Sequence, residues 1–172
     1  HPRERIESLP NLPTRLRRGE LANSYLAAAH DGEHRRAGAA AVTAAERAIE
    51  ARAWWAADAW AHRAVWHFER AEMELQAIRA ARRIGELRTM AGDPASARRY
   101  YAETISEARD IGAEREEGLA ALGLGRAELA LGDVTTARRL AQIAIDLLER
   151  CGAPASEVAA ARALRGEEKE VG

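Results

Sequence analysis

The sequence predicts an all-α fold, a right-handed α-solenoid of antiparallel helix pairs with about eight helices. Three observations predict it. Alanine fills 41 of the 172 positions and charged residues make up 31%, the composition of closely packed helices with solvated outer faces. The residues around Gly92-Asp93 recur around Gly132-Asp133, pairing Ala81 with Ala121, Ile84 with Leu124, Gly85 with Gly125, Ala97 with Ala137 and Gly112 with Gly152 at one offset of 40 residues. A fixed period of this length marks a fold in which each repeat buries its apolar face by stacking on the next. Between the turn residues, small and apolar positions keep helical spacing. Such a chain presents surface and does not enclose a catalytic pocket.

The elements follow in order. Residues 1–13 contain Pro2, Pro10 and Pro13, which cannot continue a helix, and read as an extended lead-in or linker. A half repeat over 14–32 holds a helix from the N-cap Thr14 to about His30, ended by Asp31-Gly32 two periods before Gly112. The first full repeat spans about 34–72, with helices near 34–51 and 54–71. Arg52-Ala53 replaces Gly-Asp there, and the helix pair rests on the spacing of Ala41, Ala44, Ala45, Ala57, Ala61 and Ala64. The second repeat, 74–112, has helices near 74–91 and 94–111, with Pro94 in a first turn where its missing N–H costs nothing. The third, 114–152, has helices near 114–131 and 134–151. After Gly152 and Pro154, a capping helix over 156–166 places Leu164 one period beyond Leu124. Residues 167–172 form a solvated tail. Residues 14–166 are thus expected to form one solenoid domain.

The third repeat, with Leu124-Gly125, Gly132-Asp133, Ala137 and Ala144, and the second, with Ile84-Gly85, Gly92-Asp93 and Ala97, resemble the tetratricopeptide repeat in its longer, roughly 40-residue form. Small residues at 85, 97, 125 and 137 let paired helices approach, while glycine ends one helix and aspartate caps the next. The chain departs from the family pattern at Arg88 and Glu128, where an aromatic is usual, at Ala141, which replaces the bulky residue seen at Tyr101, and in the first repeat, which has no turn glycine. The resemblance implies a domain that binds a peptide or protein in a concave groove. Long-repeat versions also form sensor or oligomerisation portions of bacterial transcription activators.

Composition narrows the function classes. A net charge of −1 with interleaved Arg and Glu gives no basic footprint for a run of phosphates, so direct nucleic-acid binding is not expected. One cysteine, Cys151, precludes an internal disulfide and fits a reducing cytoplasm. It aligns with Ile111 and is expected to be buried as a small apolar residue. No apolar run approaches a membrane span and no signal-peptide pattern opens the chain. The start at His1 without a methionine leaves open a piece of a longer protein or a lost tag.

Motifs for chemistry are missing. His30 and His34 have i, i+4 spacing, but Asp31-Gly32 between them breaks the helix, and no histidine follows a glutamate by three, so no metal site is expected. Gly123 and Gly125 sit in the repeat register without a preceding strand, which argues for close packing over a phosphate loop. The serines have no nucleophile-elbow context. Neither a cofactor nor a catalytic site is expected.

Two surfaces are candidates for a partner. First helices of each pair line a concave side, and the register places Val42, Glu46 and Ile49, then Arg79, Arg82, Glu86 and Thr89, then Leu122, Arg126 and Leu129 along it. Apolar anchors beside arginines suit a peptide or helix with some acidic character; alternatively these side chains only solvate the groove, and the capping helix covers Leu122 and Leu129. All four tryptophans fall between 54 and 66. At about 100° per residue, Trp55, His62 and Trp66 share one face, opposite Ala57, Ala61, Ala64 and Phe68. That face becomes Ala95, Ala102 and Ser106 one period later, so it is expected on the convex side, either as an interface, including one between copies of the chain, or beneath Leu9 and Leu12 of the lead-in. Trp60 aligns with Tyr100 and reads as core.

Overall fold

The computed structural model describes Asn23, Leu26 and residues 33–166. The expected lead-in 1–13, the tail 167–172 and, apart from Asn23 and Leu26, the half repeat 14–32 lie outside the described residues. Among those described the fold is all-α, with seven helices: α1 His34–Glu50, α2 Trp54–Arg70, α3 Glu74–Met90, α4 Pro94–Asp110, α5 Glu114–Ala130, α6 Val134–Arg150 and α7 Ala155–Arg165. Each expected boundary in this range is met within one residue. The first six helices have 17 residues each and a three-residue connector follows each of them up to α6, so the 40-residue repeat is two helix–turn units of equal length.

The turns explain that regularity. After every one of the first five helices, and again after α6, two backbone N–H groups reach back over the last turn. Gly92 and Asp93 donate to the carbonyls of Thr89 and Arg88, at 3.0 and 2.9 Å, and Gly132 and Asp133 to those of Leu129 and Glu128. This is the Schellman motif, which needs a left-handed residue after the C-cap. Glycine supplies it at 92, 112, 132 and 152, whereas Arg52 and Glu72 adopt it at φ 56° and 55°. The bonds themselves are kept there, with Ala53 donating to Ala48 at 2.8 Å, which is how the first repeat turns without its glycine. Asp93 and Asp133 cap α4 and α6 by accepting from the backbone of Ser96 at 3.0 Å and Thr136 at 2.9 Å. The Thr136 N–H and hydroxyl together hold the Asp133 carboxyl below the usual carboxylate range.

The chain divides into two compact units between Leu87 and Arg88, within α3. In the first, α1 and α2 pack together through Ala37, Ala41, Ala44 and Ala45 against Trp60, Ala64 and Phe68, and Ala77 and Ala80 of α3 join the same core. The approach is close: a Cβ on Gly38 would lie 2.7 Å from the Phe68 ring.

In the second unit α4 packs on α5, α5 on α6, and α7 on both α6 and α5. Central α5 is made for this, since Gly118 faces Leu148, Gly123 faces Tyr101, and Gly125 faces Leu164 and the carbonyl of Ala137. The expected small-residue contact between positions 125 and 137 is therefore present. Two buried carboxylates of α5 are neutralised from α4: Glu117 pairs with Arg109 at 2.8 Å and Glu128 with Arg98 at 2.9 Å. Glu128, which stands where an aromatic is usual in the resembling family, is thus a buried ion-pair residue. Cys151 corrects the sequence reading. It is exposed, because it is the C-cap of α6 at a turn where Ile111 is also 40% exposed.

Candidate partner-binding groove

A groove of about 460 Å3 opens among α1, α2 and α3 of the first unit. Helical spacing decides what faces it. Ala39, Val42 and Glu46 fall on one stripe of α1, and Arg79, Arg82 and Glu86 on one stripe of α3, while α2 contributes Ala61, Ala64 and Phe68. The floor is apolar, alanines and Val42 with the one ring of Phe68, and the wall along α3 is charged. A concave apolar site with a few convergent polar groups is the usual form of a ligand site.

The charged wall is one connected network. The Arg83 guanidinium donates to both carboxylate oxygens of Glu46, at 3.0 and 2.8 Å, tying α3 to α1 across the groove. Arg82 and Arg83 both donate to Glu86. Burial alone lowers the pKa of Arg83, but the bonds to Glu46 and Glu86 outweigh it, and the pKa rises above the usual arginine range. Because these groups are partly exposed, the network contributes little to stability. Its clearer effect is to hold a row of guanidinium groups at the mouth of an apolar pocket.

Five of the residues that the sequence placed on a partner-facing stripe line this groove: Val42, Glu46, Arg79, Arg82 and Glu86. Ile49 is half-buried in the last turn of α1. Leu122 corrects the reading, being 5% exposed and packed with Ala144, Ile145, Leu148 and Ala161 in the core of the second unit. A periodic projection locates a stripe but not the helix that covers it, and here the α6–α7 side does. Arg126 is exposed and Leu129 is 46% exposed on α5. Sequence reasoning missed Gln76 and Arg83, both of which line the groove. The signal for Arg83 was its register partner, since a helix glycine at 123 replaces it one period on.

The tryptophan face lies on α2. Trp55 is 77% exposed and Trp66 45%, whereas Trp60 is buried in the core. His62, also exposed, lies 3.6 Å from Asp58. Trp66 is not a loose side chain: the Arg70 guanidinium stacks 3.6 Å from its ring centre, and His67 and His34 meet it edge-on at 4.6 and 5.5 Å. Behind it, His67 is buried and shares a 2.9 Å Nδ1–Nδ1 hydrogen bond with His34, one ring donating and the other accepting. The sequence paired His34 with His30, which lies outside the described residues, and this cross-helix contact between positions 33 residues apart had no signal in the sequence.

Among the described residues no group of three or more potential metal ligands occurs, and no helix is long and apolar enough to cross a membrane. No family model matches the chain, and no curated protein matches it.

Proposed function

We propose that this chain is a noncatalytic protein-interaction module that binds a peptide or helix of a partner protein in the groove among α1, α2 and α3. The observation that carries the reading is the convergence of Val42, Glu46, Arg79, Arg82 and Glu86, spread over two helices, on one apolar-floored groove. The repeat register, the Schellman turns and the aspartate caps support placing the chain with long-repeat tetratricopeptide proteins. The net charge of −1 with interleaved Arg and Glu supports a protein partner over a nucleic acid. The lone cysteine suits the cytoplasm.

The test is peptide binding to the whole chain and to its Arg82→Glu variant. The expected result is a loss of about tenfold or more in affinity, the scale of a central charged contact. Unchanged affinity with unchanged helicity would remove the groove from consideration.

A second reading is favoured by the exposure of Trp55, 77%, and of Trp66, three turns further along α2: a self-associating scaffold, or the oligomerisation portion of a longer bacterial regulator, in which this face of α2 is the contact. Solution mass across a concentration series separates the two readings.

A further inference from the structure

The outward face of α2 carries a seam. Trp55, Ala59, His62 and Trp66 are spaced four, three and four residues apart, the average step of 3.5 by which one helix packs along another in a coiled coil. Trp55, His62 and Trp66 are exposed and Ala59 is half-buried, whereas Ala57, Ala61, Ala64 and Phe68 on the opposite side are buried in the first unit. A helix already packed on its own neighbours thus presents a second packing face to solvent. The two edges of that face differ in charge. At about 100° per residue, Asp58 and Val65 border the seam on one side, and Arg63 and Arg70 border it on the other.

We infer that this face pairs with the same face of a second copy, the two α2 helices lying parallel about a two-fold axis, so that Trp55 meets Trp55 and Trp66 meets Trp66. This rests on the self-association reading above and adds the orientation of the second copy. A two-fold interface sets one patch against itself, and charge decides between its two directions. In the antiparallel arrangement like edges meet, and the arginines of one copy face those of the other. In the parallel arrangement each arginine edge meets the opposite edge, which brings Arg63 to Asp58 of the second copy, the pairing across the seam that sets orientation in coiled coils. Within one chain Asp58 lies 3.6 Å from His62, and Arg63 donates to the carbonyl of Ala59 at 3.3 Å. These contacts are made along the same helix by partly exposed groups, contribute little, and leave each charge on its own edge. Arg70, stacked 3.6 Å from the Trp66 ring, holds that indole in place before association, which lowers the cost of ordering it. At ~150–250 Å2 for a whole tryptophan side chain, the exposed parts of Trp55 and Trp66 offer about 200–300 Å2 per copy. A standard interface buries ~800 Å2 on each side, so the pairing is weak and reversible.

The experiment is sedimentation of the whole chain across a concentration series, for the unaltered protein, Asp58→Arg, Arg63→Asp and the variant with both changes. The expected result is a reversible dimer that either single change weakens about tenfold, because the symmetry sets like charges together twice, and that the double change restores. A second measurement does not depend on those variants. Glu69, exposed at the next position of the seam, lies beside Arg70 of the second copy and meets its own counterpart only in the parallel arrangement. Oxidation of Glu69→Cys, with Cys151→Ser to remove the native thiol, should therefore link the chains in pairs. A dimer that the double change fails to restore, or that gives no link at position 69, would overturn the inference and leave self-association standing. A monomer at every concentration, the result if the lead-in covers the seam, would remove both. So would a dimer left unchanged by Trp55→Ala with Trp66→Ala.

Discussion

His34 begins α1 and His67 lies in the last turn of α2, and their Nδ1 atoms are 2.9 Å apart. One hydrogen bond between two imidazoles therefore closes the end of the helix pair, and it requires at least one ring to be neutral. Burial of His67, followed by the proximity of His34 and then of Arg70 and Arg63, lowers its pKa from the usual 6.5 to about 4.

Stability is predicted to fall with acid through that window. A histidine whose folded pKa is depressed binds its proton more readily in the unfolded chain, so the folded state loses ground as pH drops below 6.5, down to about 4. Over the whole window the loss is about 3 kcal/mol, of which about 2 kcal/mol falls between pH 7 and pH 5. Urea unfolding at pH 7 and pH 5 reads it, and His67→Gln, which keeps a hydrogen-bonding group but no titration, should show a smaller difference between the two. An equal difference in the variant would assign the acid sensitivity elsewhere.

Arg52 and Glu72 occupy the left-handed region in turns where the later repeats use glycine. An L-residue there costs about 1–2 kcal/mol, part of which glycine gives back through the freedom of the unfolded chain. Arg52→Gly and Glu72→Gly are each expected to stabilise by about 0.5–1 kcal/mol in thermal unfolding. The reverse change, Gly92→Ala, should destabilise by about 1 kcal/mol, since Gly92 has φ 79° and no neighbour within 4 Å of a Cβ.

Gly123→Ala tests the joint with Tyr101. The added methyl has no room beside the ring, and overpacking costs about 1–3 kcal/mol, somewhat offset by the better helix propensity of alanine. In a Tyr101→Ala background the same change should cost nothing. A double-mutant cycle showing no coupling would mean that the ring moves aside freely.

The two exposed tryptophans are predicted to behave differently. Trp55→Ala should change stability by less than about 0.5 kcal/mol, as expected of a surface substitution. Trp66→Ala should cost more because it strips packing from His67, His34 and Arg70. If light scattering shows a dimer, both substitutions should lower its mass. A monomer at every concentration would remove the scaffold reading.

Much of the fold was legible because it is written in backbone terms. Gly92-Asp93 and Gly132-Asp133 state a stop and a start, and residues that meet every 40 positions state which faces pack. The first repeat was legible only by spacing, since Arg52 takes the conformation of a glycine without its signature. The groove was half legible. Glu46, Arg79, Arg82 and Glu86 follow from periodicity, but Arg83 faces it through an ion pair to Glu46 that joins positions 37 residues apart. Leu122 shows the limit from the other side, because the register fixes its angle on α5 and leaves unstated that it is covered by residues of α6 and α7.

The equal lengths of the helix–turn units constrain how this chain can change. Losing one residue inside α5 would swing every later position of that helix by about 100°, taking Gly123 away from Tyr101 and Gly125 away from Leu164 together. Losing or gaining 20 residues returns each side chain to its own angle, but it exchanges first helices for second ones and puts a capped start where an uncapped one belongs. Only a block of 40 keeps both angle and role. A deletion or duplication of one whole 40-residue block is therefore the change of length expected to preserve these contacts.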